Sequence, residues 1–333
     1  MGIMNARTIN KIEFVYRMAR FGFLVALGVL ALRAIFATAA PIKADAQSKL
    51  NAVINDIASL KPPNKGQIPV AFLISDGAVV IDFCGPWEVF QDVMIPGNKE
   101  MPFRLYTVAE TKNPIRTSGG MQIIPDYTIE NAPAPKVIVI PAQSPPSPAV
   151  LEWLRESSNT TDVTMSVCTG AFVLAKTGLL NGKSATTYHG AFGRFATQFP
   201  DVQLKRGARF VENGNLATAG GLSSGIDLAL RVVERYYGRE VARNTAYDME
   251  YQGKGWMNPD SNQLYATSRV STLEHPLCVV CGMDVDPKLA PKSVFKGTTY
   301  YFCSEGDKKT FDAAPDKSIN AAGNESAPSG SSN

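Results

Sequence analysis

Six side chains in this sequence are of types that could do chemistry: Cys168 and Asp82, then Cys278, Cys281, Cys303 and Asp307. Cys168 lies in Ser166-Val167-Cys168-Thr169-Gly170. The β-branched residues of Asp162-Val163-Thr164-Met165 read as the end of a strand, and Ala171 to Lys176 as a helix closed by Gly178. A cysteine on a sharp strand-to-helix turn is a nucleophile elbow with sulfur in place of hydroxyl. The helix N-terminus behind it favours thiolate, so the spacing predicts a depressed pKa and faster alkylation of Cys168 than of Cys84. The competing reading is a buried cysteine packing as a small hydrophobe. Asp82 comes just past the first apolar run, so its strand end faces the same crevice. A carboxyl there can move protons for a thiol, or it can cap the helix after Gly85-Pro86.

These side chains need a scaffold. Ile68 to Ile74 and Lys136 to Pro141 are short continuous apolar runs, as in strands buried on both faces of a parallel sheet. Helical patterns intervene at Trp87–Met94, Ala149–Ser157, Ala171–Thr177 and Ile226–Tyr237. Alternating strands and helices predict an α/β, doubly wound parallel sheet, with ligands at the carboxyl ends of its strands. The Cys168 elbow stands in that place.

Composition agrees with a globular chain. The 333 residues are 45% hydrophobic and 19% charged, with a net charge of +3. No Lys/Arg run marks a nucleic-acid face, so no nucleic-acid partner is expected. The N-terminus reads differently. Arg7, Lys11, Arg17 and Arg20 precede the apolar run Phe21 to Leu32, and small residues follow at Thr38-Ala39-Ala40. This describes a signal peptide over residues 1–40, or a membrane anchor if Arg33 snorkels. Either outcome places the remainder outside the cytoplasm, periplasmic or tethered to the membrane. Residues 41–66 read as a linker, and residues 316–333, rich in Ser, Asn, Ala and Gly, as a disordered tail.

Three motifs in order carry a family resemblance across residues 67–257. Gly77-Ala78-Val79-Val80-Ile81-Asp82 with Gly85-Pro86-Trp87-Glu88-Val89-Phe90 is the first. The second is Ser166 to Gly170 with Gly178 to Thr187, and the third runs from Thr218 to Leu230. Together they resemble the ThiJ/PfpI superfamily, most closely its isonitrile hydratase-like branch, which also includes sensor domains of AraC-type regulators. The resemblance implies a flavodoxin-like fold, a homodimer, a small-molecule substrate and no cofactor in the large domain. It implies Cys168 as nucleophile, Asp82 as the acidic partner, and Thr169 lending its hydroxyl or N–H. Two positions depart from the pattern. Tyr188 stands where the family carries His, so His189 comes one residue late and turns to the other face if the segment is extended. It is then either an acid/base or a surface residue. Ile140-Pro141-Ala142-Gln143 replaces a Pro-Gly-Gly turn, leaving the N–H groups of Ala142 and Gln143 as oxyanion donors, with strain if a positive φ is needed. After Trp256 no basic helical stretch has the size that two helix-turn-helix units need.

Residues 270–315 form the second unit. Cys278-x-x-Cys281 on one loop and Cys303 at a strand end offer three soft ligands, with Lys296-Gly297 as a hairpin turn between them. Thiolates in this pattern suit zinc or a copper-group ion. A Cys278–Cys281 disulfide, or a metal-free hairpin, is the alternative. Cys281-Gly282-Met283, then Gly297 to Cys303, Phe311 and Pro315 resemble a YHS domain. In that family a further Cys stands where this chain has Asp307, which the resemblance makes the fourth ligand unless His275 completes the set. The whole predicts an exported cysteine-dependent hydratase-like enzyme with a metal module. The alternative is a non-enzymatic thiol and metal sensor, or metal-handling protein, on the same scaffold.

Overall fold

The computed structural model describes residues 59–323, apart from 99, 268–270 and 273. The expected signal or anchor, most of the linker, and residues 324–333 lie outside the described residues. Among those described, no helix is long and apolar enough to cross a membrane.

Seven strands form one sheet: β1 (Ile68–Leu73), β2 (Phe103–Ala109), β3 (Tyr127–Thr128), β4 (Val137–Ile140), β5 (Val163–Ser166), β6 (Phe210–Asn213) and β7 (Leu216–Ala219). Their order is β6-β7-β5-β4-β1-β2-β3. All neighbours are parallel except β6, which joins the edge by an antiparallel hairpin to β7. The parallel core is why β1 and β4 read as unbroken apolar runs. Alternate residues serve opposite faces. Val70, Phe72, Val137 and Val139 pack on one side against α1 (Val80–Gln91), α5 (Ser224–Tyr237) and α6 (Arg239–Asp248). Ala71, Leu73, Ile138 and Ile140 pack on the other against α2 (Pro148–Ser158), α3 (Gly170–Lys176) and Phe195 of α4 (Phe192–Gln198). This is the doubly wound α/β architecture that the sequence predicts.

Two boundaries differ from expectation. The first helix begins at Val80, seven residues before the expected Trp87, and Pro86 lies inside it. The Gly-Pro pair looked like a helix boundary, but Gly85 is where α1 meets α5 closely. A Cβ there would stand 2.9 Å from Ile226 Cγ1. At the other end, helix α8 (Pro315–Gly323) follows α7 (Glu305–Ala313) and packs Ile319 against the small C-terminal core. The tail predicted from residue 316 is therefore helical as far as Gly323.

The small module is a hairpin, β8 (Lys292–Phe295) and β9 (Thr298–Tyr301), with α7 and α8. Lys296 and Gly297 both have positive φ, 50° and 80°, as a two-residue hairpin turn of matching twist requires. Among the described residues, its fully buried centre is Cys278, Phe302 and Phe311.

Gly170 is the tightest point of the scaffold. A Cβ there would stand 2.1 Å from Ile140 O and 2.8 Å from Pro141 O. Both are backbone atoms of the neighbouring strand end and cannot turn aside. Gly170→Ala should destabilise the protein by about 3 kcal/mol, measured as a lower denaturation midpoint at unchanged slope.

Candidate functional site

Cys168 has φ 58°, a left-handed conformation that a non-glycine residue adopts only under constraint. The constraint is visible. Its N–H donates to Gly220 O at 2.8 Å, and its carbonyl accepts from Thr187 Oγ1 at 2.8 Å. Gly170 lets the turn lie on β4, and Gly225 lets α5 approach Val167, whose Cγ1 would be 2.9 Å from a Cβ there. Backbone N–H groups of Thr169 and Leu222 donate to the sulfur. Leu222 itself has φ 50°. Arg209 steadies that loop: its carbonyl accepts from Gly220 N at 2.9 Å, and its Nη2 donates to Ser223 Oγ at 3.0 Å. Buried Asp227 accepts from Arg209 Nε at 2.6 Å and from Trp256 N at 2.8 Å, tying the segment after α6 to the same support.

Asp82 is not an N-cap. It is the third residue of α1, the cap position is Val79, and no side chain caps the helix. The carboxyl is fully buried and faces the thiol. Oδ2 accepts from Ala142 N at 3.1 Å, and among the described residues Oδ1 meets no hydrogen-bond donor. Burial raises its pKa to about 7, against the lowering effects of the Ala142 N–H and the Cys168 thiol.

The depressed pKa expected of Cys168 is not found. Burial, and then the negative charge of Asp82, push the thiol up to about 12, against the N–H groups of Thr169 and Leu222. A seven-residue helix end does not offset the removal of water around a buried sulfur. The two groups are best treated as one acid that loses its first proton near pH 7 and keeps the second. Cys84 is also raised, by burial and by Glu88, and stays outside this pair.

Three other predicted residues are held by contacts of their own. Ala142 spends its N–H on Asp82 instead of facing a developing oxyanion. Gln143 sends its side-chain amide to Leu73 O at 3.1 Å, and neither residue needs a positive φ. The turn thus works without the family glycines, but as a clamp on the acid. His189 opens a short 3-10 turn and stacks on Tyr265 with ring centroids 5.0 Å apart. The groups that act most on the thiol are Asp82, Thr169 and Leu222, and His189 is not among them. The sequence reading gave no role to Thr187, Leu222 or Arg209. The first two lay inside the quoted motifs, but their work is done by a hydroxyl on a carbonyl and by a backbone N–H.

The second cluster is assembled as expected. Ligand atoms of Cys278, Cys281, Cys303 and Asp307 all lie within 4.8 Å of one another. Cys281 and Cys303 sulfurs are 3.4 Å apart, and Asp307 Oδ2 is 3.3 Å from the sulfurs of both Cys278 and Cys303. A tetrahedral zinc site with three sulfurs and one oxygen has edges of roughly 3.6 to 3.8 Å. The residues therefore fit such an ion with shifts of up to about 1 Å. A hydrogen bond from the Cys281 thiol lowers Cys278 to about 6 and pushes Cys281 up, as expected when one proton serves two sulfurs. All five cysteines are free, so the disulfide alternative is not realised. His275 is exposed and outside the cluster.

The pair's titration has a sign. The folded pKa of Asp82 is above its unfolded value, so the folded state holds the proton more tightly. Stability is fully present below about pH 4 and is lost as pH rises to about 7, by up to about 4 kcal/mol. Asp82→Asn should abolish this component, so its unfolding free energy should be flatter between pH 4 and 7 in denaturant titrations.

Comparison with known proteins agrees with this geometry. Residues 69–235 match the DJ-1/PfpI family, and residues 279–322 match the YHS domain. The chain is 30% identical over 189 residues to an isonitrile hydratase of Pseudomonas putida, covering 55% of this chain and 78% of that one. It is 24% identical over 184 residues to the HTH-type transcriptional regulator CdhR of Pseudomonas aeruginosa, 54% of each chain, so it spans about half of that relative. A crystal structure of a ThiJ/PfpI family protein from Pseudomonas syringae superposes with a TM-score of 0.51 at 23% identity, over 60% of this chain and 85% of that one, and shows the shared fold. By the family match over half of its length and the shared fold, the chain belongs to the DJ-1/PfpI family and carries a YHS domain behind it.

Proposed function

We propose that this protein hydrates isocyanides through Cys168 and Asp82, outside the cytoplasm, with a metal ion bracing the YHS module. The observation that supports this reading is the buried thiol–carboxyl pair sharing one proton above about pH 7. The first step of such a hydration needs that stock of groups and no more. Asp82 takes the thiol proton as sulfur attacks the terminal isocyanide carbon. It then gives that proton to the same carbon, so S–H breaks while C–S and C–H form. The product is a thioimidate on Cys168. Water adds to its carbon and the C–S bond breaks, releasing an N-substituted formamide and restoring the thiol. No electron is gained or lost overall.

The relative at 30% identity is itself an isonitrile hydratase, which supports the substrate class. The rival reading, a thiol sensor, fits less well. Redox-sensing cysteines are low-pKa and accessible, whereas Cys168 is buried and raised. Export rests on the basic residues and apolar run before Ala40. The family resemblance supports a homodimer.

In the YHS module, Cys278, Cys281, Cys303 and Asp307 would hold the ion. An ion there would cross-link the knuckle, the hairpin and α7, where the buried core is too small to do so alone.

Two experiments test this. Purified full-length protein supplied with small alkyl isocyanides should form the corresponding formamides, with kcat/KM rising through about pH 7. Asp82→Asn should lower turnover at least about 100-fold and remove that rise; undiminished turnover would end the catalytic reading. For the metal, protein purified without a metal-affinity tag should carry zinc or a copper-group ion at about one per chain by elemental analysis, and Asp307→Cys should tighten zinc binding about tenfold or more by supplying a softer ligand.

A further inference from the structure

The metal cluster and the thiol site meet at one short segment. The knuckle Cys281-Gly282 lies directly on Gly190. A Cβ at Gly190 would stand 2.6 Å from Cys281 O and 2.7 Å from Tyr188 Cε1. From the other side, a Cβ at Gly282 would be 3.1 Å from Gly190 O and 3.2 Å from Gly190 Cα. Two glycines thus face each other across this contact: Gly190 has no room for a side chain, and one at Gly282 would crowd the Gly190 backbone.

Tyr188 carries the contact inward. Its ring lies against Gly221 as well, where a Cβ would stand 2.7 Å from Tyr188 Cδ2. Gly221 is followed by Leu222, whose backbone N–H donates to the Cys168 sulfur. Tyr188 is preceded by Thr187, whose hydroxyl holds the Cys168 carbonyl. One aromatic ring is therefore wedged between the metal knuckle and two of the groups that set the elbow. Closely packed surfaces with no spare room transmit small shifts. The segment continues through Ala191 into α4, against which helix α8 of the module also lies.

We propose that Tyr188 is a positioning residue that couples metal occupancy of the Cys278/Cys281/Cys303/Asp307 cluster to the reactivity of Cys168. With the ion bound, the four ligands hold the Cys281-Gly282 turn against Gly190. That turn keeps the Tyr188 ring on Gly221 and the Leu222 N–H on the sulfur. Without the ion the turn loosens, the ring gains freedom, and the thiolate loses part of its hydrogen bonding. The coupling is reciprocal: whatever factor the metal adds to thiolate formation, thiolate formation adds to metal affinity. The inference rests on metal binding by the module but not on the identity of the substrate.

The test uses the full chain, zinc chloride as probe, and peptide mass mapping that scores only the Cys168 peptide after iodoacetamide. Elemental analysis of the same samples gives the zinc content, so failure to bind zinc is recognised apart from failure to couple; either one overturns the proposal. Zinc-loaded protein should be labelled at Cys168 about five- to tenfold faster than chelator-treated protein at neutral pH, with the midpoint of its pH profile moved down. Tyr188→Phe, which keeps the ring, should retain the difference. Tyr188→Ser should still bind one zinc but label at one rate with or without it. Equal rates in the two states of the wild type would overturn the proposal. So would slower labelling when loaded, since the module would then be a cover and not a brace.

Discussion

Much of this structure follows from placing a thiol and a carboxyl side by side where water does not reach. Cys168 and Asp82 are both buried; burial pushes each toward its protonated form, and the negative charge of Asp82 pushes the thiol further the same way. Two negative charges in that space would be strongly unfavourable. The pair is therefore held to one proton from about pH 7 to about 12. Everything around it keeps that geometry fixed: a left-handed cysteine, a glycine that no other residue can replace, the Ala142 N–H on the acid, and Leu222 on the sulfur. The strain at Cys168 is about 1 to 2 kcal/mol by comparison with other left-handed non-glycine residues, and the two surrounding cores offset it easily.

The sequence revealed the scaffold more readily than the electrostatics. The apolar runs Ile68–Ile74 and Lys136–Pro141 announce buried parallel strands because both faces of the sheet are covered. The elbow at Cys168 is legible because strand, turn and helix have different compositions. The metal cluster is legible because its ligands are rare residues at fixed spacings. The start of the first helix was hidden, since Gly85-Pro86 marks a boundary in most contexts and here marks a close helix contact. The sign of the Cys168 shift was hidden for a deeper reason. A helix N-terminus can be read from neighbours in sequence, but burial depends on the whole fold. The same holds for Ala142, whose N–H was expected to face substrate and instead holds Asp82.

The C-terminal module gives a reason for two neighbouring rings, Tyr188 and His189. Tyr188 gives the ring that fills the space between Gly190 and Gly221. His189, next to it, stacks on Tyr265. These residues are hard to account for within the large domain alone. With a small cysteine-rich module resting on Gly190, they become the contact between two chemistries, one built on a buried thiol–carboxyl pair and one on a cluster of soft ligands.

The claim on which the account stands is that Asp82 and Cys168 hold a single proton between them above about pH 7. Infrared difference spectroscopy of the intact protein, with isotopically labelled aspartate and a Cys168→Ser reference, reads both groups directly. The account predicts that a protonated carboxyl band disappears as pH rises through about 7 while the S–H stretch of Cys168 persists, and that Asp82→Asn removes the carboxyl change. A carboxylate already ionised at pH 5 beside a cysteine with no S–H stretch at neutral pH would contradict it.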